Sequence, residues 1–105
     1  MSQFHAHKNL DQNTQPFVPF VLDIQSSLLH SLQTTVAIPL IPLGKYLGKP
    51  IKGLNPILKI EGEAYVCATQ NLFSIERNDL GRSVADFSQT SYDIVNAIDY
   101  VLSGV

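Results

Sequence analysis

The sequence predicts a mainly β domain closed by one C-terminal α-helix, and three observations carry that expectation. Apolar and polar residues alternate in short stretches before residue 70, glycine and proline crowd the middle, and a helical apolar period appears only at the end. One domain over 1–105 is the expected organisation, since 105 residues with 45% apolar and 15% charged content supply one packed core and too little charge for a disordered chain.

Phe20, Leu22 and Ile24 alternate with Val21, Asp23 and Gln25, the period of two of a strand with one buried face. Val36, Ile38 and Leu40 repeat the pattern. Pro39 has no amide donor, so this second strand is expected to end there or to run along a sheet edge. Ile57 to Ile60 and Ala64 to Ala68 flank Glu61-Gly62-Glu63, a hairpin whose glycine supplies the positive φ of a tight turn. Residues 39 to 62 hold four of the six prolines and four of the six glycines, which predicts a long surface loop with room for only a very short strand or turn of helix. Its apolar residues Leu43, Tyr46, Leu47, Ile51 and Leu54 are expected to pin it to the core.

At about 100° per residue, Ile94, Val95, Ile98, Val101, Leu102 and Val105 share one face of the final helix, with Asp93, Asn96, Asp99, Tyr100 and Ser103 opposite. Thr90 and Asp93 have capping-box spacing, with Ser88 or Ser91 as alternatives, so the helix starts within 88 to 91 and ends at Gly104. Asp99 and the terminal carboxylate meet the negative end of the helix dipole without a nearby lysine or arginine. Either a distant side chain or a partner protein is expected to offset that charge.

The net charge of −2 and a pI near 5.8 argue against a protein built mainly to grip nucleic acid. Charge is uneven: residues 24 to 60 hold Lys45, Lys49, Lys52 and Lys59 and no acid, while 61 to 105 carry seven acids against Arg77 and Arg82. A solvated lysine-rich loop and a patch that meets an acidic partner are both compatible with that pattern. The N-terminus lacks a signal peptide's apolar stretch, and no run approaches the roughly 18 to 20 apolar residues that span a bilayer. A soluble, cytoplasmic protein without membrane attachment is expected.

Chemistry-bearing patterns are few. His5-Ala6-His7 has a chelating spacing, but the other soft ligands, His30 and Cys67, fall at no finger spacing, so no metal is expected. Cys67 sits in the apolar run Ala64-Tyr65-Val66-Cys67-Ala68 without a flanking base, which reads as a buried, inert thiol that makes no internal disulfide. Glu61 and Glu63 flank a turn, with nothing to suggest a cleft between them. Phosphate-binding glycine loops, nucleophile elbows and HExxH are absent from the sequence. A binding module, not an enzyme, and one without a cofactor, is the expectation.

Three segments together carry a family resemblance: Phe20-Val21-Leu22-Asp23-Ile24-Gln25-Ser26-Ser27-Leu28-Leu29, then Val36-Ala37-Ile38-Pro39-Leu40, and Asp93-Ile94-Val95-Asn96-Ala97-Ile98 ending in Gly104-Val105. In order, spacing and position, the chain resembles the CcdB toxins of bacterial toxin–antitoxin pairs from about residue 17 onward. The resemblance implies an SH3-like barrel with a C-terminal helix, assembled as a homodimer. It implies a toxin without catalysis of its own, which binds the A subunit of DNA gyrase and traps the cleaved gyrase–DNA complex. A CcdA-like antitoxin would remove it, and the pair would repress its operon, touching DNA only through the antitoxin.

By the same resemblance, the gyrase-binding tripeptide falls on Ser103, Gly104 and Val105, where the family prototype has Trp-Gly-Ile. Ser103 cannot stack as the tryptophan does, and Tyr100, one turn earlier, is the residue expected to take over the anchoring. The antitoxin contacts fall on Leu28, Leu29, Asp99 and Leu102, with Asp99 standing where the prototype has an amide. Two alternatives remain: a ribonuclease toxin of the same fold, as in the Kid and MazF families, and a non-toxic homologue that only binds antitoxin.

Overall fold

The structure, a computed structural model, describes residues 3–104. Seven strands, β1 (His5–Asn9), β2 (Phe20–Asp23), β3 (Thr34–Pro42), β4 (Ile57–Ile60), β5 (Glu63–Cys67), β6 (Phe73–Glu76) and β7 (Leu80–Asp86), precede one helix, α1 (Ser91–Ser103). The path β4-β5-β3-β2-β1-β7 is antiparallel throughout, and β6 pairs with β3. The curled sheet with its terminal helix is the SH3-like barrel that the resemblance implies.

The sheet buries both of its faces. Ala6, Leu22, Ile38, Leu40, Leu58, Ile60 and Cys67 build the main core with Ile94 of α1, and Phe20 meets Tyr65 edge-on at 5.2 Å between ring centroids. Val21, Ala37 and Ile75 form a smaller core on the reverse face. Leu22 and Val21, adjacent in β2 and pointing opposite ways, are therefore both fully buried, which corrects the expectation of one buried face. On that reverse face Thr35 Oγ1 donates a 2.7 Å hydrogen bond to the buried Asp23 carboxylate.

Pro39 neither ends β3 nor lies at an edge. One margin of β3 pairs with β6 through Thr34–Ala37 and with β5 through Leu40–Pro42, and Pro39 falls between the two partners. Its carbonyl accepts from the Ala68 amide at 3.0 Å, so its missing N–H also points into the gap where β6 gives way to β5.

The predicted hairpin is present as β4 and β5. Its two-residue turn, Glu61 at φ 53° and Gly62 at φ 85°, has the paired positive φ of a type I′ turn, and Ile60 pairs with Glu63. The breaker-rich stretch is shorter than expected, because β3 runs to Pro42 and β4 begins at Ile57; it contains one 3₁₀ turn at Leu43–Lys45. Its apolar residues do not pin it as predicted: Leu54 is buried and Tyr46 half-buried, whereas Leu43, Leu47 and Ile51 are exposed. A polar anchor replaces them. Buried Asn55 accepts from the Ile51 amide at 3.0 Å and donates to the Cys67 carbonyl and to Gln70 Oε1, while Gln70 Nε2 donates to Tyr46 Oη.

Helix α1 begins at Ser91, inside the predicted window, after a 3₁₀ turn at Ser88–Thr90. Thr90 occupies the cap position, yet its side chain makes no cap hydrogen bond, so the capping box does not form. Asp86 instead accepts from the Ser88 amide and hydroxyl at the start of the preceding turn. At the other end Gly104 takes φ 74° and its amide donates to the Tyr100 carbonyl at 2.8 Å, the expected left-handed stop.

Candidate partner-binding surface

Ile94, Ala97, Ile98 and Val101 form the seam of α1 that packs inward, the first two fully buried and the others half-buried. Val95 and Leu102 lie about 80 to 100° around the helix from Ile94, beyond the reach of the sheet. Both are exposed, Leu102 by 75%, so the apolar face read from the sequence is wider than the part the sheet covers. With Tyr92 and Asp99, also exposed, they make a flank that is apolar apart from one carboxylate. Sequence reading singled out Asp99 and Leu102 but missed Tyr92 and Val95, because a helical wheel locates an apolar arc and not how much of it a neighbour covers.

Tyr100 lies on the opposite flank of α1 from Leu102. There its ring neighbours Gly53 of the β3–β4 loop, where a Cβ would stand 3.9 Å from Tyr100 Cδ2, and the residue remains 39% exposed. Asp93 and Asn96 on α1 line a groove of about 540 Å³ with Ile51, Lys52 and Pro56 of that loop. Ser103 is exposed, and its hydroxyl donates to the Asp99 carbonyl at 2.7 Å, which turns it back along the helix. Val105 lies outside the described residues. Among the described residues no lysine or arginine pairs with Asp99.

Leu28 and Leu29 sit in a 3₁₀ turn, Ser27–Leu29, capped by Ser26 Oγ, which accepts from the Leu28 amide at 3.2 Å. The Arg77 guanidinium braces the segment by donating to the Leu29 and Leu32 carbonyls at 3.2 and 2.6 Å. Both leucines are exposed, Leu28 by 88% and Leu29 by 45%, and neither belongs to the core. They belong to the β2–β3 connection, an element separate from α1.

The chemistry-bearing residues are dispersed. His5 Nδ1 shares a 2.8 Å hydrogen bond with Ser83 Oγ, and His5 Nε2 lies 3.6 Å from Asp86 Oδ1. Hydrogen bonds from Ser88 hold the Asp86 carboxyl below its usual range, with a smaller contribution from His5. Sequence reading missed this cluster because its members lie on β1 and β7, at opposite ends of the chain. His7 Nδ1 donates to the Gly81 carbonyl at 3.0 Å, and its buried Nε2 has no partner among the described residues. Burial pushes the Cys67 thiol up to about 11, against a lesser opposing effect of Thr69. Among the described residues no three His, Cys, Asp or Glu side chains are grouped to hold a metal ion. Nor is any described helix long and apolar enough to cross a membrane.

Solved toxin structures share this fold. An endoribonuclease in complex with its cognate antitoxin from Mycobacterial species is 13% identical, with a TM-score of 0.75 over 97% of this chain and 94% of that one. The Mycobacterium tuberculosis toxin MazF-mt6 is 15% identical, with a TM-score of 0.66 over 79% and 84%. At such identities the likeness is one of architecture: a small curled sheet that carries a terminal helix. The family model described as CcdB protein matches residues 3–104, and the chain belongs to the CcdB family of toxins.

Proposed function

We propose that this toxin acts by binding the gyrase A subunit with the C-terminal end of α1 and trapping the cleaved gyrase–DNA complex. The observation that carries the reading is the exposed last turn: Leu102, Ser103 and Gly104 face solvent, and Gly104 ends the helix in the left-handed conformation. Tyr100 supplies the aromatic contact that Ser103 cannot. A CcdA-like antitoxin covers Leu28 and Leu29 and the flank that carries Asp99 and Leu102, providing donors to the acidic helix end. The working unit is a homodimer, and repression of the operon runs through the antitoxin's own DNA contacts.

Induced expression in sensitive cells and in cells with a CcdB-resistant gyrase A subunit tests this. Growth arrest in the sensitive strain alone is expected. Arrest in both sinks the gyrase reading, and arrest in neither leaves a non-toxic, antitoxin-binding homologue. Deletion of Gly104 and Val105 removes the toxicity while the circular dichroism spectrum stays unchanged. Tyr100→Ala weakens gyrase binding more than Ser103→Ala, by about 2 kcal/mol if it is an interface anchor.

A ribonuclease reading has one structural observation in its favour, the His5, Ser83 and Asp86 cluster, which pairs a base with a hydroxyl and a carboxylate. Arrest in both strains together with RNA cleavage that is lost in His5→Ala would replace the gyrase reading with this one.

A further inference from the structure

Strands β1 and β7 bring a serine, a histidine and a carboxylate together, away from the helix end that carries the reading above. Ser83 and Asp86 are three residues apart on β7, and in a regular strand residues at an odd separation point to opposite faces of the sheet. Here the β1–β7 register changes that. His5 pairs with Asp86 and Ala6 with Ala85, but His7 pairs with Ser83, so Val84 is an extra residue, a β-bulge, between two consecutive pairs. The bulge turns Ser83 onto the face that carries His5 and Asp86. His5 Nδ1 lies 2.8 Å from Ser83 Oγ, and His5 Nε2 lies 3.6 Å from Asp86 Oδ1. Asp86 is itself fixed, because its Oδ1 accepts from the Ser88 amide at 2.9 Å and from the Ser88 hydroxyl. Its carboxylate favours the tautomer with the proton on Nε2, which leaves the Nδ1 lone pair to accept from the Ser83 hydroxyl. Beside them stands His7, its ring centroid 6.4 Å from that of His5 and its buried Nε2 without a partner among the described residues.

We propose that Ser83 is a nucleophile toward acyl thioesters, with His5 as its general base and Asp86 as the residue that positions the imidazole. A hydroxyl within hydrogen-bond reach of a base, the base in turn oriented by a third group, is the arrangement that activates a serine. Ser83 Oγ attacks the thioester carbonyl carbon and its proton passes to His5 Nδ1. The C–S bond then breaks, and the leaving thiolate takes that proton and departs as the thiol. The product is an acyl ester on Ser83, formed without oxidation, reduction or a further reactant. A thioester suits the site because Ser83 is exposed, so the donor approaches from solvent, and a thiolate leaves more readily than an alkoxide or an amine. The ester also removes the hydroxyl proton that His5 accepts, which alters a side-chain link between β1 and β7. Ribonuclease chemistry at the same cluster differs, since RNA brings its own attacking hydroxyl and leaves no bond to Ser83.

The test is incubation of the folded full chain with the acetyl thioester of N-acetylcysteamine. Thiol release is followed, and peptides are mapped by mass before and after hydroxylamine, which cleaves esters and spares amides. One acetyl group per chain on Ser83, labile to hydroxylamine and matched by one equivalent of thiol, is expected. Ser83→Ala should abolish it, and His5→Ala and His5→Gln should slow it at least about tenfold. Asp86→Asn should slow it and Asp86→Glu should restore part of the rate, with circular dichroism showing that each variant is folded. Ser74, equally exposed but on β6, is the internal control and should stay unlabelled. Label confined to lysines as hydroxylamine-resistant amides, label on Ser83 no faster than on Ser74, an undiminished rate in the His5 variants, or no label at all would each overturn the proposal. Gyrase does not enter the readout, so this site and the toxic activity stand or fall separately.

Discussion

Gly81 of β7 lies so close to Lys8 of β1 that a Cβ built on the glycine would stand 2.8 Å from Lys8 Cβ and 3.0 Å from its carbonyl oxygen. The contact falls where the β1–β7 register shifts between His7 and Asn9, and the Gly81 carbonyl there accepts from His7. In an ordinary strand alanine is better than glycine by roughly 0.5–1 kcal/mol. Here steric overlap outweighs that gain. Gly81→Ala is expected to destabilise by about 1–3 kcal/mol, read as a lower urea midpoint; an unchanged or higher midpoint would show that the strands part freely.

The Thr35 hydroxyl is buried against Asp23. Replacing it with the isosteric Val leaves the shape and removes a donor from a buried carboxylate, which costs about 1–3 kcal/mol. Thr35→Ser keeps the donor and is expected to recover part of the loss. Urea melts of the two variants with matching m-values make the comparison; a wild-type midpoint for Val with a lowered one for Ser would locate the effect in the methyl group instead.

Cys67, fully buried with its thiol pushed up to about 11, remains protonated at neutral pH. It should resist a thiol-specific aromatic disulfide reagent at pH 8 for as long as the chain is folded, and react with one equivalent in denaturant. Rapid native-state labelling would contradict the packing of β5.

Asp86 titrates below its ordinary value of 3.8 because it accepts from Ser88. A depressed folded value means that its contribution is fully present above 3.8 and fades as the pH falls through the lowered value. Asp86→Asn is therefore expected to lower the melting temperature at neutral pH and to make the acid limb of the stability profile shallower. Parallel profiles for the two proteins between pH 2 and 7 would remove the linkage.

How much could be read in advance varied with how each element earns its stability. The β4–β5 hairpin and α1 were legible because their signals are local: Glu61-Gly62 between apolar runs, and a helical period ended by Gly104. β1 and β7 were not, since His-Ala-His-Lys-Asn and Leu-Gly-Arg-Ser-Val-Ala-Asp have little apolar alternation, and it is their mutual pairing that makes them strands. β6 also escaped notice, although Phe73 and Ile75 alternate with Ser74 and Glu76. Pro39 misled because a missing donor is harmless wherever a margin changes partners, and only the assembled sheet contains that gap. At the candidate surface, the resemblance supplied Leu28, Leu29, Asp99 and Leu102. Exposure of Tyr92, Val95 and Leu47 depends on what the tertiary fold leaves uncovered.

The pairing of His5 with Asp86 means that β1 waits on one side for β7, the last of the seven strands to be synthesised. The central strand β3 likewise fills one margin with two strands that are synthesised after it. Such distant closures are entropically costly and slow, and they leave unpaired edges until late in synthesis. The C-terminal turn of α1 follows all seven strands, so the helix end that the proposed poisoning uses rests on a sheet whose closing pairs are the most distant in sequence.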